Sequence, residues 1–175
     1  MITEYDVSFA VKEFLLSHDY TIITWNPPGS QGTFTIPNPS KDPLYKGQVG
    51  SESPDIIAFN NEEIVLVEAK DAINKSFSDI TKMERMLEDL QRRALLFNIC
   101  NFQMQAIQKE VDFSKLRLVK GVAIPYEVDF MKRFSQYKGL RLYAVKILAT
   151  NWDKDIISSS TDLSAVFSVE TADVA

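Results

Sequence analysis

"SPDIIAFNNEEIVLVEAKD", residues 53–71, holds two apolar runs of strand length separated by "NNE" at 60–62. Apolar, β-branched runs flanking a short Asn-rich break signal a hairpin. Yet Asp55 heads the first run, and Glu68 and Lys70 close the second. In an antiparallel hairpin the head of one strand lies beside the tail of the other, and residues two apart share a face. The pattern therefore predicts a corner where Asp55, Glu68 and Lys70 converge. Two carboxylates brought together raise each other's pKa unless a cation joins them. Lys70 is one candidate cation. A divalent metal is another, since Mg²⁺ takes carboxylate and carbonyl oxygens and fills its octahedron with water. Taken singly, each residue reads more simply as a solvated strand end or half of a weak surface pair. Their conjunction, just after a Pro- and Gly-rich loop, points to chemistry.

Outward from the hairpin, Val7, Ala10, Val11, Phe14 and Leu15 recur at helical spacing across 4–18, with Thr3 as N-cap. "YTIITW", 20–25, reads as a short strand. Residues 26–53 are dense in proline and glycine, with a short strand possible at "TFTI", 33–36. A loop of this length inside a compact domain is functional or disordered. Beyond Ser76, Ile80, Met83, Leu87, Leu90, Ala94 and Phe97 mark one long helix or two, reaching about Lys109. Strands are expected at 116–124 and 140–148, with a short helix at 127–137 stopped by Gly139. The order α-β-β-β-α-β-α-β describes an α/β domain over 1–150, a central mixed β-sheet flanked by helices. An acidic, loosely ordered tail over 151–175 follows.

Composition narrows the class. The chain has 175 residues, 45% hydrophobic and 25% charged, which suits one globular domain. No stretch reaches the roughly 20 apolar residues of a membrane span, and the N-terminus lacks the basic and apolar blocks of a signal peptide. A single cysteine, Cys100, and a single histidine, His18, exclude an intramolecular disulfide and a Cys/His zinc cage. A cytoplasmic protein, with no membrane contact, is the expectation. The net charge of −5 argues mildly against a general nucleic-acid binder. However, five acids and only Lys154 lie from Asp153 onward, so the body is close to neutral.

"PD" at 54–55, followed by "EAK" at 68–70, resembles the signature of the PD-(D/E)XK nuclease superfamily, which includes restriction endonucleases and archaeal Holliday junction resolvases. A helix before, a hairpin carrying the motif and a helix after also fit that family, over roughly residues 1–150. The resemblance implies a restriction endonuclease-like fold with Mg²⁺ as cofactor, Mn²⁺ being able to substitute. Asp55 and Glu68 would bind the metal, the Ala69 carbonyl would add a ligand, and Lys70 would assist the attacking water. Many members add an acid from the first helix. Glu4 falls on the stripe of Val7, Val11 and Leu15 and is preferred to Glu13 on the opposite face, although a first-turn acid also simply suits the helix dipole.

Other residues divide between DNA contact and plain structure. "NPPGSQG", 26–32, resembles the mobile loop of junction resolvases, with Ser30 and Gln31 as phosphate contacts, but equally reads as a surface turn. Lys41 and Lys46 in the long loop, and Lys82, Arg85, Arg92 and Arg93 on the long helix, could meet phosphates. A solvated face interleaved with Glu84, Glu88 and Asp89 is the plainer reading of the helical group. Gln91 is followed by Leu95 where exonuclease-like members carry tyrosine, so their glutamine–tyrosine motif is absent. His18 closes a helix, and Cys100 packs in the core. The function implied is a Mg²⁺-dependent, restriction-type DNA endonuclease, acting as a homodimer because cutting two strands needs two sites. A structure-specific resolvase or repair nuclease is the alternative within the fold. A non-cutting or partner-dependent nuclease-fold subunit of a defence, repair or transposition assembly is the alternative of a different class.

Overall fold

The computed structural model describes residues 2–28, 36, 53–107, 109–153 and 156–169. Six strands form one mixed sheet in sequence order: β1 (Thr21–Trp25), β2 (Ile56–Phe59), β3 (Glu63–Ala69), β4 (Arg117–Pro125), β5 (Leu140–Asp153) and β6 (Ile156–Val169). The first three strands run antiparallel to one another, β3, β4 and β5 are parallel, and β6 returns antiparallel along β5. Helix α1 (Glu4–Ser17) covers one face. Helices α2 (Ile73–Glu88), α3 (Leu90–Ala106) and α4 (Phe130–Phe134) cover the other.

Every residue of β3 is buried. A central strand with helices on both sides has no wet face, so its sequence reads as a continuous apolar run. Ile64 and Leu66 pack with Ile80, Met83, Leu96 and Cys100 on the α2–α3 side. Val65, Val67 and Ala69 pack with Val7, Val11 and Leu15 of α1. The hairpin turn is closed by Asn60, whose side-chain oxygen accepts from the backbone N–H groups of Glu62 and Glu63, both at 2.9 Å. Thr3 caps α1 as expected, in a capping box with Asp6.

Several expectations are corrected. Of the two alternatives for the long helical pattern, two helices is the one formed, and the start moves from beyond Ser76 to Ile73. The chain leaves helical geometry at Asp89, whose carboxylate accepts from Gln91 N–H (2.9 Å) and Arg92 N–H (3.2 Å) to start α3. Helix α4 is shorter than 127–137, because Asp129 adopts φ 66° just before it. The tail expected to be loosely ordered contains β6, and β5 runs on to Asp153 to pair with it. The β-branched and serine-rich "IISSSTDLSAVFSV" suits such an edge strand more than the acids of the tail suggest. Only Ile36 of the proposed 33–36 strand is described, and it is buried in the core. No helix among the described residues is long and apolar enough to cross a membrane.

At the start of β3, the buried Glu63 ties four elements together. Its carboxylate accepts from Tyr20 Oη at 2.5 Å, from Arg117 at 2.6 Å and from both terminal nitrogens of Arg141. Burial alone would raise its pKa, but these donors outweigh burial and hold it down at about 2. A depressed folded pKa means the stabilisation is present above the ordinary value of 4.5 and is lost as pH falls toward 2. Glu63→Ala is therefore expected to cost about 3 kcal/mol at neutral pH, the scale for removing one partner of a buried pair. The urea midpoint of the variant should also fall less steeply than that of wild type below pH 4.5.

Gly121 on β4 lies under the Tyr143 ring. A Cβ there would stand 2.8 Å from Tyr143 Cε2 and 3.2 Å from Val67 Cγ2. Tyr143 is 1% exposed and has nowhere to move. Gly121→Ala should destabilise the fold by about 1–3 kcal/mol in chemical denaturation, as overpacking of a filled core does.

A candidate acidic site at the end of the central hairpin

The hairpin register pairs Ile56 with Val67, so the next residues out, Asp55 and Glu68, stand opposite each other. Both side chains emerge on the α2 side, in step with Ile57 and Leu66. Asp55 Oδ2 accepts from Ala69 N–H at 2.7 Å, which closes the hairpin beyond its last strand pair. From the other side, Asn26 N–H donates to the Asp55 carbonyl at 2.7 Å and Asn26 Nδ2 to the Pro54 carbonyl at 3.1 Å. The chain at "PD" is thus fixed by both neighbouring strands.

The two carboxyl groups are hydrogen-bonded to each other. Burial pushes Asp55 up, and the Glu4 charge adds to this, while the Ala69 N–H and Lys70 hold it down. Glu68 is 8% exposed and is pushed well above the usual carboxylate range, first by burial and then by the charges of Asp55 and Asp79. Of the two, Glu68 is pushed further toward its neutral form.

Lys70 follows the last residue of β3, and its backbone N–H donates to the Ala123 carbonyl of β4 at 2.9 Å. Its Nζ lies 2.8 Å from Glu4 Oε1 and 3.4 Å from Asp79 Oδ2. Burial opposes the ammonium most strongly, yet the Glu4 hydrogen bond and the charges of Asp79, Asp55 and Glu68 together raise its pKa above the ordinary lysine range. Lys70 is firmly cationic here. It can hold or neutralise an anionic oxygen but is not a base.

The structure brings Glu4, Asp55, Glu68 and Lys70 together and leaves Glu13 out, exposed and 3.1 Å from Lys12. Ala69 is buried at the end of β3, with its N–H given to Asp55. Arg92 and Arg93 do not present themselves to a phosphate. Arg92 is 5% exposed, and Arg93 gives its guanidinium to the Leu87 carbonyl at the end of α2. Both were read from a helix that in fact breaks at Asp89, which turns them inward. Ser30, Gln31, Lys41 and Lys46 lie outside the described residues. His18 hydrogen-bonds the Phe14 carbonyl at 2.8 Å, and burial pushes the Cys100 thiol up to about 12, so that cysteine is inert.

Asp79 is the residue that the sequence reading missed. It is 4% exposed on α2, with Oδ1 2.6 Å from Lys82 Nζ and Oδ2 facing Lys70. The signal was available: Asp79 sits within the buried stripe of Ile73, Ser76, Ile80 and Met83, just as Glu4 sits on the stripe of α1. Among the described residues, no three acidic, His or Cys side chains are gathered closely enough to hold a metal ion by themselves. A cavity of about 360 Å³ lies at the other end of β3, beside Phe14, Tyr20 and Glu63, away from the acidic corner. Comparison with family models, curated proteins and solved structures finds no match to this chain.

A carboxyl group with a raised folded pKa contributes stability that is full below its ordinary value, here 4.5, and is lost as pH rises through the folded pKa. In EDTA, Glu68→Gln should therefore unfold at higher urea than wild type near neutrality, with the advantage gone in acid. Parallel pH profiles for the two proteins would mean that Glu68 is charged in the folded state.

Proposed function

We propose that this chain is a Mg²⁺-dependent DNA endonuclease with a restriction endonuclease-like fold, hydrolysing phosphodiester bonds at the Asp55–Glu68–Lys70 corner. The observation that carries the reading is the hairpin register, which sets Asp55 opposite Glu68, with the Lys70 ammonium held beside them by Glu4 and Asp79. The corner sits at the carboxyl end of β3, where it meets the parallel strand β4, the usual place for sites in open α/β sheets.

The donor set suits the metal. Asp55 and Glu68 offer hard oxygens, and Mg²⁺ is usually bound by one or two carboxylates while keeping several waters. Asp55 and Glu68 would hold the cation, which would offset the repulsion that adds to burial in raising both carboxyl groups. Charge points the same way: with Glu68 neutral, Glu4, Asp55 and Asp79 still outnumber Lys70 and Lys82. A divalent cation held there supplies charge against the phosphodiester and makes water more acidic. The chain's own groups then have distinct tasks. Lys70 offers a fixed ammonium to a phosphate oxygen, Glu4 and Asp79 fix its position, and Asp55 is held by the Ala69 N–H at a constant orientation. A homodimer would place two such corners on two strands. The restriction-type reading and its structure-specific alternative differ in substrate, not in this chemistry.

The test is cleavage of supercoiled and branched DNA with Mg²⁺, Mn²⁺ or EDTA. Wild type should cut only with metal, and Asp55→Ala and Lys70→Ala should each lose at least about 100-fold in rate, the lower end of what a positioned catalytic group contributes. The cut pattern separates restriction from junction resolution. A folded wild type that cuts nothing with either metal would sink the proposal.

A further inference from the structure

Three aromatic rings meet on the surface beside the acidic corner. Tyr5 is 47% and Phe9 37% exposed, one turn apart on α1, with ring planes 10° from parallel and centroids 6.2 Å apart. The Trp25 ring of β1 lies 5.9 Å from Tyr5 and 6.1 Å from Phe9. Its orientation is fixed, because the indole N–H donates to the buried Ser8 Oγ at 2.6 Å. Lys12 Nζ, also 3.1 Å from Glu13, sits 4.2 Å from the Trp25 centroid and 4.8 Å from that of Phe9. Trp25 packs in part against the α1-side core, whereas Tyr5 and Phe9 point out from it, since α1 already buries Val7, Ala10, Val11 and Leu15 against the sheet.

Their position is what gives them meaning. Tyr5 directly follows Glu4, whose carboxylate holds Lys70. Trp25 pairs with Ile56, the residue after Asp55, and the next residue, Asn26, bonds the Asp55 carbonyl. The aromatic patch, on the α1 side of the sheet, therefore meets the corner through Glu4 and Lys70, along two elements at once. From Glu4 through Tyr5 and Phe9 to Lys12 is two turns of helix, about 12 Å. Flat π-faces with an adjacent cation match unpaired bases on a phosphate chain, whereas a duplex keeps its base faces stacked and shows only their edges.

We propose that Tyr5, Phe9 and Trp25 form a stacking platform for the unpaired bases of a single-stranded nucleic acid whose phosphate chain runs into the Asp55–Glu68–Lys70 corner, with Lys12 serving a phosphate at the far end. This rests on the nuclease reading and narrows its substrate to strands unpaired beside the cut, such as single strands, flaps or frayed ends. A bare clamp of α1 on the edge strand is the competing role that the test must tell apart. Leucine would serve as a clamp but offers no ring face, so leucine substitution separates the two roles.

The experiment is fluorescence anisotropy of a labelled single-stranded oligonucleotide and its blunt duplex, in EDTA and low salt, with folding checked by circular dichroism. Wild type should prefer the single strand. The Tyr5→Leu/Phe9→Leu protein should lose roughly tenfold or more of that affinity, as expected for lost base–aromatic stacking, while Tyr5→Phe/Phe9→Tyr should keep it. Wild type without a preference for the single strand, or a folded leucine variant that binds like wild type, overturns the platform. Because cutting is not read in EDTA, a failed nuclease reading is recognised separately, as ring-dependent binding by a protein that cuts nothing with metal.

Discussion

One hydrogen bond holds the site in place: Ala69 N–H to Asp55 Oδ2, at 2.7 Å. It is made where the backbone ladder of the hairpin ends, and it turns an aspartate side chain into the last rung. Without it, Asp55 would be a solvated residue after a proline. With it, the carboxylate is drawn to within bonding range of Glu68, and the two must share a proton or a cation. The Asp55 charge then adds to burial in raising the pKa of Glu68, and adds to Glu4 and Asp79 in keeping Lys70 cationic.

The acids are kept in such company by the rest of the fold. Helix α1 brings Glu4 from one face of the sheet and α2 brings Asp79 from the other, and both reach the same ammonium. Lys70 is thus a meeting point for the two layers on either side of the sheet. Truncating it would take a counter-charge from the half-buried Glu4 and leave the buried Asp79 with Lys82, a cost to stability as well as to chemistry.

Much of this was legible in the sequence because the hairpin is local. Two apolar runs, an Asn-rich turn and period-two alternation determine which residues face each other, and no distant contact is needed. Glu4 was legible for a similar reason, as an acid on an apolar helical stripe. Asp79 obeys the same rule but drew no reading, since its burial depends on how α2 docks over Lys70. The break at Asp89 was obscured because Leu90 continues the apolar spacing across it. Strand β6 was hidden by its run of serines and threonine, which reads as a polar tail, although its only acid is Asp162. The Glu63 cluster joins residues up to 121 positions apart in the chain, and no local pattern announces such a contact.

Strand β3 carries charge at both ends and none between. A uniform apolar run gives a sheet little information about sliding: a shift of two residues would return every side chain to the same face and to similar neighbours. Here such a shift would drag Glu63 away from Arg141 at one end and Glu68 away from Asp55 at the other. The polar groups at the two ends therefore act as stops on a ruler, setting the strand's position along its own axis. The grease between them sets only which way it faces.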